Sequence, residues 1–145
     1  MESQRKDSPF IGEVVCSACH SEAAKVWNKS RHAHAFATLK KEGKHFDPEC
    51  LECHVVGLKP WRAPADSDPQ MKKWEGLVGF LSPDLTPHLM NVQCENCHGP
   101  ARAHLLDPTK KFSVSNPAET CVSCHHGSHS PLFSFEKYWP KVQHK

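Results

Sequence analysis

The pattern Cys-x-x-Cys-His occurs four times in this chain and accounts for every cysteine: Cys16-Ser17-Ala18-Cys19-His20, Cys50-Leu51-Glu52-Cys53-His54, Cys94-Glu95-Asn96-Cys97-His98 and Cys121-Val122-Ser123-Cys124-His125. Eight cysteines suit four disulfides, and paired C-x-x-C units suit two zinc sites of four cysteines each. The fifth position separates both from a third reading. At the His frequency of this chain, 12 in 145 residues, four independent pairs would all precede His about 5 times in 100,000, whereas C-x-x-C-H is the attachment signature of c-type haem. Two thioether bonds tie the porphyrin to the cysteines, and the adjacent imidazole turns under the iron. Four covalently bound haem c groups are therefore expected, with His20, His54, His98 and His125 as proximal ligands.

That cofactor load answers a problem of composition. Only 38% of the residues are hydrophobic and the mean hydropathy is −0.59, thin material for an apolar core. Four large apolar discs, one for about every 36 residues, supply the missing interior. The expected fold is mainly α with extensive loops, compact around four stacked haems, and the apo chain should be largely unfolded. Lys plus Arg (18) nearly balances Asp plus Glu (16), a formal charge of +2. Each ferric haem with ionised propionates adds about −1, so the loaded protein carries about −2, and about −6 when reduced. Its basic residues then serve to offset propionates, and nucleic acid is not an expected partner. No apolar run approaches the roughly 18 residues of a membrane-spanning helix.

Eight further histidines are available as sixth ligands: His32, His34, His45, His88, His104, His126, His129 and His144. Against them stand only Met1, Met71 and Met90, so His/His ligation and its lower potentials are favoured. Met71 and Met90 read as packing residues, as do Trp27, Trp61, Trp74 and Trp139 against haem faces. Residues 21–28 read as a short helix, and Ser30 as the cap of a second over 31–42 that stops at Gly43. On it His32, Ala35, Phe36 and Leu39 share one face, while His34 is rotated about 200° from His32, so one of the two histidines can face a haem. After a loop over 57–69, a helix over 71–81 is expected, ended by Pro83 and Pro87. The segment 58–87 reads as an insert that folds as a flap over one haem. A helical turn over 101–106 carries His104, residues 134–138 are helical before Pro140, and 142–145 are extended. No strand is expected.

The first cysteines lie 34, 44 and 27 residues apart, so residues 1–145 read as one domain and not as a repeat array. Residues 1–13 are polar, read as a flexible tail, and lack the apolar core of a secretory signal. Haem attachment to C-x-x-C-H is ordinarily completed outside the cytoplasmic membrane, so an exported, periplasmic or extracellular protein is expected.

The whole pattern resembles the cytochrome c-554 family of tetrahaem cytochromes. The resemblance is carried by the first motif with Trp27 and Ser30-Arg31-His32-Ala33-His34-Ala35-Phe36, by Cys50 to Gly57, by Asn91 to Pro100, and by the fourth motif. It implies a compact helical electron-transfer protein with haems in stacked pairs. It also implies His32 as a ligand of the fourth haem, His104 of the first and His144 of the third, with His129 the other candidate near the C-terminus. In the type member the second haem has no protein sixth ligand; here the iron above His54 is either open or ligated by His88 or His45. His34, His126 and His129 read as surface or propionate-contacting groups.

Three functions fit these expectations. The first is an electron carrier between a redox donor and acceptor. The second is a haem enzyme whose open second iron binds or reduces a small nitrogenous ligand. The third is a self-associating protomer of a haem filament, or a subunit of a larger redox complex.

Overall fold

With 12 prolines and 7 glycines, the chain interrupts every helical run early. The computed structural model describes residues 8–60, 62, 69–109 and 116–144. In order these form α1 (Glu13–Ser17), α2 (Ser21–Lys29), a 3-10 turn (Arg31–His34), α3 (Ala35–Lys41), α4 (Pro48–Leu51) and two 3-10 turns (Pro69–Trp74 and Pro87–Leu89). Then come α5 (Cys94–His98), α6 (Arg102–Leu106), α7 (Pro117–Val122), a 3-10 turn (Gly127–His129), α8 (Phe135–Tyr138) and a last 3-10 turn (Trp139–Lys141). Among the described residues there is no strand, only an isolated antiparallel bridge between Val55 and Met90.

Several local expectations are corrected. The helix expected over 31–42 is divided: Arg31–His34 is 3-10 and only Ala35–Lys41 is α-helical. Ser30 does not cap it. Its hydroxyl instead donates back to the Trp27 carbonyl at 2.7 Å, closing α2. The helix expected over 71–81 is a 3-10 turn ending at Trp74, because Gly76 takes φ 82 and the chain then turns inward. Gly43 does stop α3, with φ 71 and its N–H on the Lys40 carbonyl. Residues 8–13, read as part of a tail, are packed: Ser8, Pro9 and Phe10 are buried. Residues 1–7 of that tail, residues 63–68 of the insert, Trp61 and the side chain of Met71 lie outside the described set.

One small apolar cluster forms, from Phe10, Phe36, Leu39, Leu51, Val55, Val56, Phe80 and Leu89, with Met90 packed against it. Its axis is the segment after the second motif. Val56 donates to the Leu89 carbonyl at 2.9 Å, and Phe80 donates to the Val56 carbonyl at 2.8 Å. Phe10 closes the cluster over Gly57 and Gly79. Elsewhere large apolar side chains face outward, among them Val14 (70% exposed), Leu106 (66%) and Leu132 (82%), as expected of a chain whose interior is completed by a cofactor.

Gly57 lies at φ 69, and a Cβ there would stand 2.5 Å from the Phe10 ring; Gly76, at φ 82, would meet nothing within 4 Å. Gly57→Ala should therefore cost about 1–2 kcal/mol of backbone strain plus about 1–3 kcal/mol of overpacking, and Gly76→Ala the strain alone. Thermal unfolding of the haem-loaded protein checks this: the Gly57→Ala midpoint should fall well below that of Gly76→Ala. Equal midpoints would mean that Phe10 yields.

Candidate functional site

Each Cys-x-x-Cys-His unit is wound into one helical turn, which puts its two sulfurs on the same side. His20 donates its N–H to the Cys16 carbonyl at 2.9 Å, His54 to Leu51 at 2.9 Å and His125 to Cys121 at 2.8 Å, while the third unit is α5 itself. The turns are started by caps that the sequence reading did not use. Asp47 accepts from the Glu49 N–H and Asn116 from the Glu119 N–H, each with proline at the first helical position. Gln93 and Asn96 form a reciprocal capping box on α5.

The segment before and within α5 ties the motifs together. Gln93 Oε1 accepts from the Glu13 N–H at 2.7 Å and so caps α1 from a distance. Asn96 donates to the Val55 carbonyl at 2.9 Å, next to His54. Asn91, at φ 77, accepts from the Phe36 N–H at 2.9 Å. The sulfurs follow the same order. The Cys16 and Cys94 sulfurs adjoin. Cys53 neighbours Cys124, and Cys97 lies near Cys121 and Cys124. The motifs thus run second, fourth, third, first through the molecule.

The histidines form a regular set. His20 faces His104, His125 faces His32 and His98 faces His144, each pair with ring centroids 6.2 Å apart and planes tilted by 30°, 35° and 40°. Every pair joins one motif histidine to one from outside the motifs. Metal–imidazole bonds of about 2.0–2.1 Å on both sides of one ion, plus about 1 Å from each nitrogen to its ring centre, place two rings roughly 6 Å apart. The residues present therefore fit an iron held between paired imidazoles. His54 differs: among the described residues, which include all 12 histidines, no ring pair of this spacing involves it.

Hydrogen bonds at one ring nitrogen orient several of these imidazoles. His54 Nδ1 donates to the Ala35 carbonyl at 2.8 Å and His144 Nδ1 to the Val142 carbonyl at 2.7 Å, while His125 Nδ1 meets Ser130 Oγ at 2.9 Å. In the first two, Nε2 keeps the lone pair. His125 is further walled by Phe133, stacked at 4.8 Å, and by the edge of Tyr138. Burial, with His125 and His54 nearby, holds His32 below the ordinary imidazole range, and burial does the same to His125. Both then stay neutral, the form that binds metal.

The remaining histidines are placed apart from these pairs. His45 lies edge-on to Phe36 at 6.1 Å, and its Nδ1 is buried without a hydrogen bond. His88 sits against Gly12, and its carbonyl accepts from Gln93. His126 bonds the Val122 carbonyl and is exposed, as is His129; His34 lines an open depression of about 610 Å³ with Lys40, His45 and Asp84. Trp27 donates to the Val92 carbonyl, Trp74 is buried, and Trp139 stacks on Phe135. No disulfide joins any two of the eight cysteines, and among the described residues no three His, Cys, Asp or Glu side chains converge on a common metal position. The zinc alternative therefore lacks the cluster it needs.

Comparison with known proteins gives the same direction. The family described as cytochrome c554 and c-prime matches residues 15–99. Cytochrome c-554 of Nitrosomonas europaea is 34% identical over 116 residues, which cover 70% of this chain and 43% of that protein. The chain thus matches less than half the length of that relative. The structure of the reduced state of cytochrome c554 from Nitrosomonas europaea superposes with a TM-score of 0.53 at 25% identity, covering 94% of this chain and 79% of that one.

Proposed function

This chain belongs to the cytochrome c554 family and carries four covalently bound haem c groups, and on that premise we propose that it is an electron carrier between redox partner proteins. The observation that carries the reading is the trio of imidazole pairs at 6.2 Å. Cys16 and Cys19, Cys50 and Cys53, Cys94 and Cys97, and Cys121 and Cys124 attach the four groups. His20, His54, His98 and His125 are the proximal ligands, and His104, His144 and His32 are the distal ligands at the first, third and fourth sites. Haem c supplies reversible one-electron chemistry at the low potentials that His/His ligation favours.

The chain's own residues do the rest. Paired imidazoles close both faces of three sites, so substrate is excluded there. Nδ1 hydrogen bonds to Ala35, Ser130 and Val142 keep the rings in register. The unbroken succession of motifs, each adjoining the next, suits a protein that holds several electrons at once. Thioether attachment of this kind supports a periplasmic setting. Among the described residues no helix is long and apolar enough to cross a membrane.

Spectroelectrochemical titration tests the proposal. Reversible uptake of four electrons per chain is expected, and irreversible or smaller uptake would sink it.

A second reading is favoured by one observation, the lack of a facing histidine at His54. An open second site would bind a small nitrogenous ligand and make the other three sites its electron supply. One carbon monoxide per reduced chain is then expected. Zero would mean that His88 or His45 closes the site and would remove this reading.

A further inference from the structure

Within the third motif, Glu95 is only 3% exposed. Its Oε1 accepts the Gly12 N–H at 2.8 Å and the Ile11 N–H at 2.9 Å; its Oε2 accepts the Ala101 N–H at 2.9 Å and the Ile11 N–H at 3.1 Å. Each of these bonds is a backbone N–H donated to the carboxylate, the geometry of an ionised acceptor. Arg102 supplies the opposing positive charge, and its guanidinium also donates to the Ser8 carbonyl. Burial lifts the Glu95 pKa above its ordinary value, and the three N–H donors and Arg102 act against that rise.

The placement is specific. Glu95 stands between Cys94 and Cys97, and its partners Ile11 and Gly12 lead directly into α1, which carries Cys16 beside Cys94. A buried anion therefore sits at the joint of the first and third attachment sites, bonded to Ile11 and Gly12 just after Phe10 of the apolar cluster. We propose that Glu95 is the potential-setting residue of this pair of sites, making the haems of the first and third motifs harder to reduce, and so lower in potential, than they would otherwise be. A ferric site carries one more positive charge than a ferrous one, and in a low-dielectric setting a fixed carboxylate favours the more positive state. Glu13 on α1 is a second carboxylate near Cys94, but it is only half-buried.

The inference rests on the haem-carrier reading, and the test separates the two. Glu95→Gln and Arg102→Gln are each compared with the parent holoprotein by spectroelectrochemistry at pH 8, after intact mass has established four attached haems. Glu95→Gln should raise two of the four potentials, by about tenfold in the ferric/ferrous ratio at fixed applied potential, which is 59 mV for a one-electron couple. Arg102→Gln should move the same two downward. Simple loosening of the fold would shift both variants in one direction, so opposite signs identify the charge. Unchanged potentials in Glu95→Gln, equal shifts in all four, or the same sign in both variants would overturn the inference. A parent protein without four haems would instead overturn the carrier reading.

Discussion

Serine at both Cys94 and Cys97 is expected to cost the protein most of its tertiary structure, well beyond the loss of one haem. The third motif is the hub of the fold. Gln93 caps α1, Asn96 holds the Val55 carbonyl, and Glu95 gathers Ile11, Gly12 and Ala101. Its sulfurs adjoin the first motif and lie near the fourth. A buried disc removed from that position strips apolar burial at roughly 25 cal/mol per Å² from two neighbouring sites as well as its own, against a net stability for a domain of only about 5–15 kcal/mol. The double change Cys50→Ser with Cys53→Ser should be milder, because the second motif retains Leu51, Val55, Val56 and the rest of the apolar cluster. Circular dichroism and thermal melting of the two variants check the order. A third-motif variant that melts cooperatively near the parent midpoint would show that the interior does not depend on the cofactor there.

His104→Ala is expected to have a large spectroscopic effect, as loss of His32 or His144 would at its own site. His104 lies on α6, across from His20 at 6.2 Å, and nothing in Ala replaces its imidazole. One low-spin ferric site should become high-spin while all four haems stay attached, since the thioether bonds are untouched. His34→Ala, on the 3-10 turn beside the open depression, should leave the spectrum as it was. Optical and magnetic spectra of the two variants decide the matter. An unchanged His104→Ala spectrum would remove His104 from the first site.

Much of the site was legible because it is local. Four Cys-x-x-Cys-His units need only one helical turn each, and a five-residue pattern carries its own geometry. Which histidine stands opposite which motif is a long-range matter: His104 and His20 are 84 residues apart in sequence, and only the family resemblance gave an expectation for the pairing. Glu95 was missed because it occupies a variable position of the motif and has no periodicity to mark it; its meaning arises when Ile11 and Gly12 arrive from the other end of the chain. The capping residues Asp47 and Asn116, each followed by proline and leading into a motif, were a sequence signal left unread. The helix expected over 71–81 failed for a familiar reason: good helix formers such as Met71, Lys72 and Lys73 are overruled by Gly76, which takes φ 82, and by Gly79, whose place is set by a close approach to Val56 and Phe10. Ser30 was read as a cap by residue type, but its hydroxyl turned to the carbonyl behind it.

Electron paramagnetic resonance of the fully oxidised protein counts the irons that paired imidazoles would hold, His20 with His104, His125 with His32 and His98 with His144. At least three low-spin signals per chain are predicted, the fourth site being high-spin where the face opposite His54 is open and low-spin where His88 or His45 closes it. Fewer than three low-spin signals in the intact protein would contradict the account.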